Sequence, residues 1–128
     1  MRRLTGNVDP TEIGRITLDE ALTLLPTLEG KRSAAVFEHG TLQVKLYAPR
    51  GSDPQSPHTR DEVCVVAHGK GWFVMEPSAE RSGERRHRFG TNDVLFAKAG
   101  ARHRFEDFSD DLVVWVMFYG PEGGEKDD

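Results

Sequence analysis

The chain is predicted to be all-β, a sandwich or barrel of short antiparallel strands, and three observations carry that prediction. Apolar runs of strand length recur between residues 33 and 120. Turn residues punctuate them at a spacing of about 8–12 positions. Helical periodicity, by contrast, is confined to one short stretch near the N-terminus.

That stretch opens with Thr17-Leu18-Asp19-Glu20, a capping box in which a hydroxyl caps the first turn and Glu20 reaches back to the cap amide. Leu18, Ala21, Leu22 and Leu25 then form an apolar stripe at helical spacing, and Pro26 halts it. Strand patterns follow. Ala34-Ala35-Val36-Phe37 leads to a turn at Glu38-His39-Gly40. Leu42, Val44 and Leu46 then alternate with Gln43, Lys45 and Tyr47, the period of a strand with one buried and one polar face. Glu62 to Ala67 is a strand closed by His68-Gly69-Lys70-Gly71, and Trp72-Phe73-Val74-Met75 returns from that turn. After a polar loop over 76–84 come Arg85 to Phe89, a turn at Thr91-Asn92-Asp93, and Val94 to Ala97. His103-Arg104-Phe105-Glu106 follows a Gly-containing turn, and Leu112 to Tyr119 is the last and most apolar strand.

A chain of 128 residues suits one domain with one core. The divisions read as an N-terminal arm and helix over 1–32, a barrel over 33–120 and a flexible, polar, Gly-rich tail over 121–128. At 37% hydrophobic and 30% charged residues, the composition is that of a soluble globular protein rather than a disordered one. The net charge of −4 gives nucleic-acid binding no basic footprint. No apolar run approaches the roughly 18 residues of a membrane span, and the first residues lack the apolar core of a signal peptide. The one cysteine, Cys64, excludes an intrachain disulfide and fits a reducing compartment, so a cytoplasmic location is expected.

Chemistry concentrates in two short segments. His58-Thr59-Arg60-Asp61-Glu62 places a histidine and a glutamate four residues apart, and Gly100-Ala101-Arg102-His103-Arg104-Phe105 carries a second histidine. On a strand, even spacing sends His58 and Glu62 to one face. Two imidazoles and one carboxylate suit a divalent ion such as zinc, iron, manganese or nickel, with open positions for a small molecule. Cys64 shares the parity of His58 and Glu62 and is read as a small buried side chain or a soft neighbour of the ion. Asp61 has the opposite parity and faces solvent or pins a loop. His39, His68 and His87 are read as surface residues. The run Arg81 to Arg88 is read as a solvated face or as a basic rim favouring an anionic substrate.

The two segments resemble the paired motifs of the cupins, small double-stranded β-helix (jelly-roll) barrels. The first cupin motif reads His-x-His, three or four residues, Glu, six residues, Gly. Here His58, Glu62 and Gly69 take the second histidine, the glutamate and the glycine, while Ser56 stands in the first histidine's place. The second motif reads Gly, five residues, Pro-x-Gly, two residues, His, three residues, Asn. Asn92, Lys98, Gly100, His103 and Asp107 fall on those positions, with Gly100 and His103 keeping their identity. Leu46 to Gly51 and the stretch 117–124 further resemble small single-domain bacterial cupins.

The resemblance implies a jelly roll with a short N-terminal helix and a metal held by His58, Glu62 and His103. The fourth ligand position is left to Ser56, to neighbouring Gln55 or to water. It implies a cavity flanked by Phe105, with Tyr47, Trp72, Phe96, Trp115 and Met117 as further lining or core candidates. Tyr47 and Lys45 are the candidates for an acid–base group. The family's range leaves the activity open between a metal-dependent oxygenase or isomerase and a non-catalytic binder of a small ligand without tightly bound metal. A homodimer is also implied, paired through an edge strand or an exchanged N-terminal segment, with the arm covering a barrel edge.

Overall fold

A computed structural model describes residues 14–54 and 56–126. It contains one helix, α1 (Leu18–Leu22), and eight strands: β1 (Ser33–His39), β2 (Leu42–Tyr47), β3 (Asp61–His68), β4 (Gly71–Met75), β5 (Arg85–Phe89), β6 (Val94–Ala97), β7 (His103–Glu106) and β8 (Val113–Tyr119). The strands form a five-stranded sheet in the order β1-β2-β8-β3-β6 and a three-stranded sheet in the order β5-β4-β7. Every pairing is antiparallel. No ladder joins the two sheets among the described residues, so the barrel is held shut by its side chains.

Those side chains form the main core. Cys64 and Val66 of β3, Leu95 and Ala97 of β6, and Val114, Val116 and Phe118 of β8 project from the large sheet. They meet Phe73 and Met75 of β4, Phe89 of β5 and Phe105 of β7. Phe105 packs edge-on against Phe89 with ring centroids 5.4 Å apart, a favoured aromatic geometry.

The outer face of the large sheet is buried too. Val36, Leu46, Ala48 and Val113 pack against Ala21 and Leu24, with Leu18, Leu22, Leu25, Val44 and Trp115 around them. The alternation in β2 therefore has a specific meaning: Val44 and Leu46 lie under the helix, while Lys45 and Tyr47 turn to the barrel interior. The apolar stripe of helix α1 caps this sheet face, while residues 1–13 of the arm expected at a barrel edge lie outside the described residues. Its capping box is formed, with Thr17 Oγ1 accepting from the Glu20 amide (3.1 Å) and Glu20 Oε1 from the Thr17 amide (3.0 Å). No helix among the described residues is long and apolar enough to cross a membrane.

Two local features lock the frame around the site. Gly69 sits at φ +106° in the β3–β4 turn, and a Cβ there would lie 2.8 Å from Leu112 Cα. The glycine of the first motif thus lets the turn pass beneath the segment entering β8. Asp61, buried at the start of β3, accepts the amides of Ala99 and Glu125, both at 2.9 Å. The bonds from Glu125 and Ala99 hold its carboxyl below the usual carboxylate range. Asp61 thus pins the loop before β7 and the C-terminal segment, and the Gly123 amide adds a bond to Thr59 O (2.7 Å). The stretch 121–125, expected to fray, is tied to the barrel by these bonds.

Candidate metal centre

The site is assembled from the entrance to β3 and the start of β7. His58 lies in the loop before β3, and its carbonyl accepts the Gly100 amide (2.7 Å), which ties the two motif segments together. Glu62 is the second residue of β3 and His103 the first of β7, and both are buried. One potential ligand atom from each of the three side chains lies within 4.8 Å of the others. His103 Nε2 is 3.3 Å and His58 Nε2 3.7 Å from Glu62 Oε1.

The hydrogen bonds around this group decide which atoms remain for a ligand. His103 Nδ1 lies 2.9 Å from the Ala101 carbonyl, an acceptor only, so Nδ1 carries the proton and the Nε2 lone pair faces inward. The Cys64 thiol donates to Glu62 Oε2 at 3.0 Å, leaving Oε1. Glu62 Oε1 and His103 Nε2 are thus buried acceptors facing one another, and neither has a hydrogen-bond partner among the described residues. Two desolvated acceptors in contact are unfavourable unless a cation lies between them. A proton or a metal ion answers that demand, and the two compete for one place. The three donors fit a divalent ion of the zinc, iron, manganese or nickel type.

The electrostatics agree with this geometry. Burial pushes the Glu62 carboxyl up, but His103, Cys64 and His58 together hold it below its ordinary value. Burial pushes His103 down, and Glu62 lifts it above its ordinary value in net. His58 is lowered, first by burial and then by His103 and Lys45, which outweigh Glu62. It is therefore poised as a neutral imidazole. Cys64 is raised well above the thiol range, mainly by burial and then by Glu62. It acts as a protonated donor that orients the carboxylate, and it also packs in the main core.

A cavity of about 230 Å³ adjoins His58. Its walls include Val116, Phe118 and Pro54, and the Phe118 ring lies 4.6 Å from that of His58. Ser33, Lys45 and Tyr47 supply its polar groups. The Tyr47 hydroxyl donates to Asp53 Oδ1, and Asp53 Oδ2 accepts the Phe105 amide at 2.7 Å. Asp53 thereby fastens the loop leading to His58 onto β7. Burial and the Asp53 carboxylate both raise the Tyr47 phenol far above its usual value, so its proton is firmly held.

Several expected lining residues lie elsewhere. Trp115 and Met117 face the outer side of the large sheet, because β8 presents Val114, Val116 and Phe118 inward. Phe96 is 47% exposed on the outer side of β6, whose Leu95 and Ala97 take the core positions. Trp72 also faces outward, under the guanidinium groups of Arg86 and Arg88 at 5.2 and 5.5 Å from its ring. Arg86 pairs with Glu106 (2.9 Å) as well, and most of the run Arg81 to Arg88 is exposed. Phe105 is buried beside Tyr47, with ring centroids 6.4 Å apart, and stands behind the cavity wall. Ser56 is exposed, and Gln55 lies outside the described residues. Ser33, Asp53, Pro54, Val116 and Phe118 are the residues that sequence reasoning missed. Of these, Val116 and Phe118 follow from the facing of β8, Ser33 opens β1, and Asp53 and Pro54 follow from loop geometry.

No family model matches the chain. An uncharacterized protein of Streptomyces coelicolor is 31% identical over 106 residues, which cover 77% of this chain and 94% of that protein. A solved structure from Bacillus halodurans superposes with a TM-score of 0.64 at 14% identity, covering 92% of this chain and 90% of its own. A candidate mannose-6-phosphate isomerase from Ralstonia eutropha gives a TM-score of 0.52 at 17% identity, over 70% of this chain and 83% of its own. A cupin domain from Bordetella pertussis gives 0.50 at 16% identity, over 70% and 92%. At such identities the solved structures share the fold, and the Streptomyces protein shares the sequence. The chain belongs to one family with the Streptomyces coelicolor protein, and it has the fold of the cupin barrels.

Proposed function

We propose that this cupin-fold chain holds a divalent metal ion through His58, Glu62 and His103 and presents it to a small organic molecule in the adjoining cavity. The observation that carries this reading is the pair of buried, unsatisfied acceptors, Glu62 Oε1 and His103 Nε2, converging with His58. When bound, such an ion supplies Lewis acidity toward substrate oxygen atoms. The chain's own residues do the positioning. Ala101 fixes the His103 tautomer, Cys64 orients Glu62, and Asp53 holds the loop that carries His58 against β7. Val116 and Phe118 keep water from one wall of the cavity.

The catalytic form of this reading is isomerase- or oxygenase-type turnover. A candidate mannose-6-phosphate isomerase among the fold neighbours is in keeping with the first. A non-catalytic binder is the second reading, favoured by Ser56 in the place of a fourth ligand and by the firmly held Tyr47 proton.

The test is metal analysis of protein purified without chelator, with calorimetric titration of zinc, manganese, nickel and ferrous ions into chelator-treated protein. One ion per chain is expected in the wild type. His103→Ala and Glu62→Gln are expected to lose at least about 100-fold in affinity, as removal of one of three ligands should. Absence of binding by the wild type for every ion overturns the proposal. With metal binding established, an oxygen-uptake and isomerisation screen on small oxygen-bearing substrates separates enzyme from binder.

A further inference from the structure

The cavity beside the metal group contains one feature the metal does not use. Lys45 is a cation on an otherwise largely apolar wall. Its direction is set by register: it pairs with Val116 across β2 and β8, and Val116 belongs to the main core. Lys45 therefore points to the barrel interior, not to the helix-covered face where Val44 and Leu46 lie. Lys45 forms no hydrogen bond or ion pair among the described residues. The nearby carboxylates are committed elsewhere. Asp53 is shared between the Tyr47 hydroxyl and the Phe105 amide, and Glu62 between the Cys64 thiol and the histidines. Lys45 is partly buried and shares the cavity wall with Val116, Phe118 and Pro54, so a cation lies beside apolar surface with no carboxylate of the described residues in ion-pair contact. It is strongly complementary to an anion that enters the cavity.

We infer that the cavity takes a small organic acid, with its carboxylate on Lys45, its apolar body against Val116 and Phe118, and an oxygen directed to the His58–Glu62–His103 group. The last element rests on the metal reading proposed above; the Lys45 contact does not. The volume of about 230 Å³ is below the roughly 300–1,000 Å³ of clefts for drug-sized ligands, which limits the acid to a compact one. Tyr47 and Ser33, on the same walls, offer hydroxyl groups to the remaining oxygens.

The experiment is calorimetric titration of phenylpyruvate, phenylacetate and benzoate, with benzamide as the uncharged counterpart, into zinc-loaded and chelator-treated protein. Wild type, Lys45→Met and Lys45→Arg are compared, and zinc content is measured on each. Expected is binding of at least one of the acids by the wild type and none of benzamide. Lys45→Met should lose about 10- to 100-fold in affinity, the worth of a charge-assisted hydrogen bond, with wild-type zinc content. Lys45→Arg should retain most of the affinity. Lys45-dependent acid binding in a protein that takes up no zinc would sink the metal reading and leave this one standing. Equal acid binding by wild type and Lys45→Met, equal binding of benzamide, or no binding of any acid by the wild type would each overturn it.

Discussion

Glu62 Oε1 and His103 Nε2 face each other at 3.3 Å with their other polar atoms already engaged, and that arrangement makes a testable pH statement. Burial opposes the charge on each group, yet the Glu62 carboxyl ends below its ordinary value and His103 above its own. In the metal-free protein, the histidine's contribution to stability is full below its unfolded value and is lost as pH rises through the raised one. The glutamate's contribution is present above the ordinary carboxylate value and is lost as pH falls through the depressed one. A metal must displace the His103 proton, so its effect runs the other way on the alkaline side. The rise in melting temperature on adding zinc is therefore expected to grow from about pH 6 to pH 8, as pH climbs above the ordinary histidine value toward the raised one of His103. A zinc effect that is flat or falls over that range, followed by scanning calorimetry, contradicts this coupling. At this scale the sequence was informative for Glu62 and Cys64, whose shared parity along β3 turns both inward, whereas His58 lies in the loop before that strand and joins them through loop geometry rather than parity. It was silent on Asp53, whose role depends on a loop conformation that no periodicity encodes.

At the scale of elements, strand positions and the capped helix were legible because each has a local cause: alternation, a turn residue or a capping box. Facing was legible only where alternation survives. β8 is apolar at all seven positions because the core lies on one side and the helix-covered layer on the other. A strand buried on both faces loses its period-two record, so Trp115 and Met117 could not be told from Val116 and Phe118. Phe96 is a different case: β6 alternates exposed and buried positions, but its exposed positions, Val94 and Phe96, are apolar, so the alternation is not written in residue type. The β3–β4 turn provides the stability test. Gly69→Ala places a Cβ 2.8 Å from Leu112 Cα and 2.9 Å from Ser109 Oγ, at a positive φ that L side chains avoid. A loss of about 1–3 kcal/mol is expected in urea unfolding, more if the segment entering β8 must shift. Gly83→Ala, with nothing within 4 Å and no positive φ, serves as the neutral control. Equal stability of the two variants would contradict the packing described for the turn.

For the whole molecule, two antiparallel sheets enclose one core, a short helix seals the outer face of the larger sheet, and Asp61 ties the C-terminal segment to both motif regions. That frame brings the entrance of β3 and the start of β7 to one point inside the barrel, which is where the spaced motifs in the sequence led. The convergence itself was beyond local sequence signals, because it depends on how β3 and β7 meet across two separate sheets. The most direct test is a crystal structure of zinc-soaked protein with an anomalous difference map at the zinc edge. One peak is expected about 2.0–2.2 Å from His58 Nε2, His103 Nε2 and a Glu62 carboxylate oxygen. A peak elsewhere, or none at full occupancy of the crystal's other zinc sites, would contradict it.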